Sequence, residues 1–237
     1  MDTQKILTFL NNVAANNNRE WFAAHKSDYE DARAEWEHGV GQALRRIVTF
    51  DPEVGTQQLK DCLYRFYRDT RFSLDKSPYK NHFGAYINAK GKKALRGGYY
   101  IHMQPGNCLL AVGNYWLPTP ILTACRNEIM ANEEEWLRCV ESKDFKKFFK
   151  DDFAPSDGQD ALDSKQGFGL AKLKQCPVGF PRDYAHVKYL RLKDYCAWHH
   201  VPEDFFEGDD WLDKMERIFR TAKPMMDFMN AVIDDYE

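Results

Sequence analysis

The chain lacks any run of about 18 or more consecutive apolar residues, the length that a membrane-spanning helix needs. Its opening, MDTQKILTFL, scatters charged and polar side chains where a secretory leader would be apolar. Both absences predict a cytoplasmic protein that makes no membrane contact. Cysteine is sparse and dispersed: Cys62, Cys108, Cys125, Cys139, Cys176 and Cys196 form no C-x-x-C pair and have none of the density of small secreted scaffolds. Reduced, mostly buried thiols are expected. There is no G-x-S-x-G nucleophile turn, and Gly97-Gly98 and Gly167-Phe168-Gly169 lack the strand-loop-helix frame of a nucleotide-binding loop. No compact His/Cys/Asp cluster stands at metal-ligand spacing. Neither a metal nor another cofactor is expected. Internal repeats and low-complexity segments are missing as well.

What is present is enough apolar material for a sizeable core: 43% of the 237 residues are hydrophobic and 14% aromatic. One α+β domain spanning 1–237 is expected. Charge is unevenly spread. Residues 60–103 carry ten Lys or Arg against three Asp and no Glu, inside a chain of net charge −3. Residues 164–202 are basic too, at +5, whereas 131–163 sum to −5 and 203–237 to −7. If the two basic segments converge, their joint field favours an anion whatever the net charge.

The period of the pattern changes along the chain. Ile6, Leu7, Phe9, Leu10 and Val13 predict a short amphipathic helix over 3–14, and Asn18 is placed to cap a longer one. The series Trp21, His25, Tyr29, Ala32, Trp36, Val40, Ala43 and Ile47 advances by three or four, which predicts one helix ending before Asp51-Pro52. From Leu63 to Phe72 alternation takes over and predicts a strand, followed by strands at 83–88, 98–104 and 108–112 joined by short turns. That makes an antiparallel meander over about 62–113, packed with N- and C-terminal helices. Pro118 and Pro120 open a helix to about Asn132, and shorter helices run to 150. Residues 151–182 read as a long irregular connection, 184–198 as a helix or strand, and the C-terminal segment as a helix burying Trp211, Met215, Phe219 and Met229.

Three stretches carry a family likeness: NREWF with downstream Tyr29-Glu30, then RDTRFSLDKSPYKNHFGAYI, then GGYYIHMQPG followed by Gly113 and Trp116. They resemble the conserved bacterial and fungal proteins grouped as domain of unknown function 2461, and the likeness extends through Pro177-Val178-Gly179-Phe180 and Tyr189-Leu190-Arg191. The resemblance implies a single α+β domain and motif positions at Arg68, Asp69, Arg71, Phe72, Ser73, Asp75, Lys76, Pro78, Tyr79 and Lys80. It implies no activity. The chain departs from the pattern in its hydrophilic 151–175 stretch and in Arg182-Asp183-Tyr184.

Within the motif, Arg68, Arg71, Lys76 and Lys80 offer planar forks and point charges suited to phosphate or carboxylate. Arg68 and Arg71 alternate across a regular strand, so both reach one ligand only if a bulge or the strand's end falls near Phe72-Ser73. The competing reading pairs these bases with Asp69 and Asp75 to fix a turn. His82 and His102 fall on one sheet face with Tyr86, Tyr100 and Gln104, where a general acid or base is conceivable and a hydrogen-bonded structural role is the alternative. Adjacent His199 and His200 point to opposite faces of a strand. Lys90 to Arg96 reads as a solvated hairpin tip, or as a phosphate contact with Tyr79, Tyr99 and Tyr100 available for stacking. The ligand-binding set is therefore Arg68, Asp69, Arg71, Ser73, Lys76, Tyr79, Lys80, His82, His102 and Arg191. Its expected partner is a small phosphorylated or carboxylate ligand. The alternative is a non-catalytic module binding RNA or an acidic protein through the basic face.

Overall fold

Asn18 caps a helix as its spacing predicts: its backbone is extended and its Oδ1 accepts from the Trp21 N–H at 2.8 Å, satisfying one donor that a helix start leaves open. The single long helix expected from there is instead two. A computed structural model, which describes residues 1–149 and 166–236, places α1 at Thr3–Ala15, α2 at Arg19–Ala24 and α3 at Lys26–Val48. The break falls at His25, whose backbone leaves the helical region (φ −113°, ψ 27°). Its ring stacks on Trp21 at 4.1 Å and its Nδ1 donates to the Trp21 carbonyl at 2.8 Å. The inward face consequently starts at Phe22 rather than Trp21, and Trp21, His25 and Tyr29 are only half-buried.

The chain divides into two compact units. The first comprises residues 1–92, 100–110 and 201–216. Its centre is aromatic: Phe9 of α1 lies 5.8 Å from Tyr29, 5.7 Å from Phe66 and 6.4 Å from Phe83 between ring centroids, and Trp36 of α3 stacks on Phe83 at 5.9 Å. Such rings remove large apolar areas from water, each side chain contributing about 1.5–3 kcal/mol. The second unit comprises 93–99, 111–200 and 217–237, and here Trp136 is the hub, within 5.3–6.1 Å of Phe168, Tyr189, Tyr195 and Phe228.

The sheet is antiparallel, with β1 (Phe83–Ile87), β2 (Gly98–Met103) and β3 (Cys108–Asn114) consecutive as expected, then β5 (Tyr195–Val201) and β4 (Gln166–Phe168), in the order β1-β2-β3-β5-β4. The expected strand at 63–72 is a correction. After a short α4 (Leu59–Cys62), that segment makes two isolated bridges, Leu63 to Ala85 and Tyr67 to Tyr79. Beyond Arg68 local bonds replace the ladder: the Asp69 carboxylate accepts from the Arg71 N–H at 3.2 Å, and the Ser73 backbone N–H turns back to the Thr70 carbonyl at 3.4 Å. Local side-chain-to-backbone bonds of this kind compete with a ladder.

Helices α5 (Thr119–Ala131), α6 (Glu133–Val140), α7 (Lys143–Phe148), α8 (Val187–Leu190) and α9 (Trp211–Asp234) complete the described elements. The segment 184–198 is thus helix first and strand afterwards. Of the irregular connection expected at 151–182, residues 151–165 lie outside the described residues. Among those described, no helix is long and apolar enough to cross a membrane, and all six cysteines are free thiols, four of them buried.

Candidate functional site

The motif is anchored at its root before it does anything else. Asn17, between α1 and α2, grips the Tyr79 backbone twice, its Nδ2 donating to the carbonyl at 2.9 Å and its Oδ1 accepting from the N–H at 3.1 Å. The Tyr79 ring stacks on Phe22 at 4.0 Å. Tyr79 is therefore buried and structural. From that root the loop folds on itself. Arg68 pairs with Asp75 and reaches Ser73 Oγ at 3.4 Å. Arg71 makes a fork onto Asp69, through Nε at 3.0 Å and Nη2 at 2.7 Å. Lys76 Nζ donates to the Thr70 carbonyl at 2.9 Å. The bond from Arg71 brings the Asp69 carboxyl down to about 2, and the Ser77 and Arg68 bonds hold Asp75 below the ordinary carboxylate range.

Five of the ten candidates, Arg68, Asp69, Arg71, Ser73 and Lys76, thus spend polar groups within the loop. The pairs are exposed, with 77% of the Arg71 side chain open to solvent, so they shape the loop more than they stabilise the protein. Between them Phe72 and Leu74 stand fully exposed.

Two other candidates come together: His82, in the bend before β1 rather than on the strand as expected, and His102 of β2. The His82 and His102 rings lie 4.5 Å apart at 30°. His102 is held at both nitrogens: the Tyr100 hydroxyl is 2.8 Å from Nδ1 and Gln104 Oε1 is 3.0 Å from Nε2. Gln104 Oε1 can only accept, so Nε2 carries a hydrogen, while the Tyr100 hydroxyl can donate to Nδ1 or accept from it. Gly84 makes room for this arrangement, because a Cβ there would stand 2.9 Å from the Tyr100 oxygen. Tyr64 packs edge-on against Tyr100 at 6.3 Å, and the Lys80 and Lys92 ammonium groups lie 5.4 and 5.6 Å from its ring centre.

His82 sits in a cationic setting. Burial first, then His102, Lys80 and Arg68, push its imidazole down to about 3. Lys80 is lowered by burial and then by Arg65. Among the described residues no carboxylate acts on either group, and His82 lies against the His102 ring and has Nδ1 3.4 Å from Asn81 Oδ1. An ammonium and an imidazole whose named neighbours are cations form a setting that an anion relieves.

Arg191, the tenth candidate, belongs to the second unit, where its Nε donates to the Leu173 carbonyl at 2.8 Å. His199 is there also, its Nδ1 3.0 Å from the Phe148 carbonyl. Among the described residues, no group of three or more His, Cys, Asp or Glu could hold a metal ion. Sequence reasoning missed Tyr64 as the ring beneath two lysines, and it read Lys92 as a solvated tip. Lys92 in fact folds back onto the Leu63 carbonyl. The signal was the positive-φ turn that Gly91 (φ 86°) provides immediately before it. The first unit also holds a cavity of about 260 Å³ lined by Tyr29, Arg33, Trp36, Glu37, Tyr64 and Tyr67 among others, and none of the ten candidates lines it.

A family model described as "Conserved hypothetical protein (DUF2461)" matches residues 5–228. No curated protein and no solved structure matches the chain.

Proposed function

We propose that this chain, which belongs to the DUF2461 family on the strength of that match, binds a small phosphate- or carboxylate-bearing molecule on the face formed by Lys80, His82 and His102, with Arg68 beside them. The observation that carries this reading is an imidazole pair 4.5 Å apart in the field of a half-buried ammonium, with no carboxylate among the described residues acting on His82 or Lys80. In a partly desolvated setting, like charges raise one another's cost and an incoming anion relieves it. Binding then draws a proton onto His82, so affinity rises as pH falls towards the ordinary histidine range. The reading assigns recognition and no reaction.

The test is thermal denaturation at low salt with inorganic phosphate, a nucleoside monophosphate and citrate, since a ligand of the folded state raises the melting temperature. At least one anion should stabilise the wild type, and Lys80→Gln should remove the effect. Stabilisation by none of the three, or stabilisation unaltered in Lys80→Gln, refutes the site.

A second reading is favoured by Phe72 and Leu74, which are fully exposed on a loop already braced by two ion pairs. In that reading the loop is the contact of a non-catalytic module. An acidic protein with an apolar pocket fits it better than RNA does, because the exposed Leu74 offers an apolar contact and no stacking surface. Phe72→Ser/Leu74→Ser would then abolish partner capture without touching anion binding.

A further inference from the structure

The second unit holds a cavity of about 490 Å³ that neither the motif nor the basic face explains. Its walls come from the loop after β3, from α5 and from the segments around Leu170 and Lys193. Leucines at 117, 122, 170 and 173 make it largely apolar, and Tyr115 and Trp116 stand at it with 65% or more of their surface exposed. Exposed aromatic rings beside an apolar cavity are a usual feature of sites for flat organic molecules.

Arg126 of α5 decides the chemistry. It lines the cavity yet is only 4% exposed, and its polar contact is a donation from Nη2 to the Leu192 carbonyl at 3.0 Å. Its buried Nε has no acceptor, and the groups that act on its charge are Tyr195, Cys125 and Cys176, none of them a carboxylate. A buried guanidinium with an unfilled donor is costly unless something pairs with it. Asp194 lines the same cavity but is already committed: its two oxygens accept from the N–H groups of Leu170 and Ala171 at 2.9 Å, and Oδ1 also from Cys196 at 3.2 Å. Lys193 is exposed at the cavity.

We propose that this cavity binds a small aromatic monocarboxylate, its carboxylate on the Arg126 guanidinium with Lys193 nearby and its ring against Trp116 and the leucines. A monoanion is preferred to a phosphate dianion because the Asp194 carboxylate shares the wall. The apolar lining requires a hydrocarbon body, which inorganic phosphate lacks.

The experiment is calorimetric titration of the full chain with 1-naphthoate, its neutral isostere 1-naphthamide, and inorganic phosphate as competitor. Naphthoate should bind saturably and about tenfold or more tighter than the amide, as a charge-assisted hydrogen bond supplies. Phosphate should not displace it. Trp116→Ala, at an exposed position that leaves folding intact, should weaken naphthoate by about tenfold, the scale of losing a stacked ring. Arg126→Met should abolish the preference for the acid over the amide. If that variant fails to fold, the acid-to-amide ratio and Trp116→Ala still decide. No naphthoate binding, equal affinity for acid and amide, displacement by phosphate, or indifference to Trp116→Ala each overturns the proposal.

Discussion

Two carboxylates with opposite environments set opposite slopes on the stability of the protein against pH. Asp69 is held down to about 2 by Arg71, against about 3.9 in the unfolded chain. A group depressed on folding stabilises above its unfolded value, and that stability is lost as pH falls from about 4 through about 2. The pair is exposed, so the loss is small. Asp194 is the reverse: burial outweighs three backbone hydrogen bonds and raises it to about 6. The folded state there binds the proton more tightly, so stability declines as pH rises from about 4 to about 6 and is level beyond. Denaturant titrations at half-unit pH steps should show that decline in the wild type and a flat profile over the same window in Asp194→Asn. An unchanged slope would contradict the assignment. At this scale the sequence exposed the charges and hid their pairing: Arg68, Asp69, Arg71 and Asp75 stand out by type, but which base meets which acid depends on the directions side chains take around a turn.

At the scale of elements, alternation located β1, β2 and β3 and put Tyr100 and His102 on one side of β2, because side chains in a strand keep a strict period of two, whereas His82 reaches His102 from the bend before β1. The same alternation misled at 63–72. Tyr64, Phe66, Arg68, Thr70 and Phe72 carry a strand's pattern, but Asp69 and Ser73 supply side-chain and turn bonds that end the pairing after Arg68. The helix pattern likewise ran through His25 without showing that its ring would take the Trp21 carbonyl. The clamp between the helical segment and the loop is testable. Asn17→Ala leaves two Tyr79 backbone groups without their partner, and should lower stability by about 1–3 kcal/mol in chemical denaturation, the usual cost of unsatisfied polar groups. A change close to zero would mean that water replaces Asn17 fully. Gly84→Ala tests the sheet face itself: the added methyl meets the Tyr100 hydroxyl at 2.9 Å. It should push the phenol off His102 and shift the His102 imidazole resonances while the helical circular dichroism stays unchanged.

For the whole molecule, the charge map of the sequence survives only in part. The basic excess over 60–103 is consumed locally where Arg68 and Arg71 meet Asp75 and Asp69, and it persists at His82 and Lys80, whose named charged neighbours are His102, Lys80, Arg68 and Arg65. The cavity of the second unit was not legible, since Arg126 sits alone in a helical stretch and Asp194 alone before an apolar strand. Only folding brings α5, Leu170 and Lys193 to one cavity. The family match runs through both units, so the architecture described belongs to the family's shared length. Binding at the sheet face should weaken with added salt, because a half-exposed ammonium is screened over about 8–10 Å at physiological ionic strength. Naphthoate in the second unit, held largely by apolar contact, should be far less sensitive.

If His82 belongs to an anion site, the NMR titration of its imidazole between pH 4 and 8, with and without inorganic phosphate at low salt, shows it directly. The imidazole should stay neutral over that range in the phosphate-free protein, where burial and its cationic neighbours push it down to about 3, and should take up a proton in the lower part of the range once phosphate is bound, an uptake absent from Lys80→Gln. Superimposable titrations with and without phosphate would contradict it.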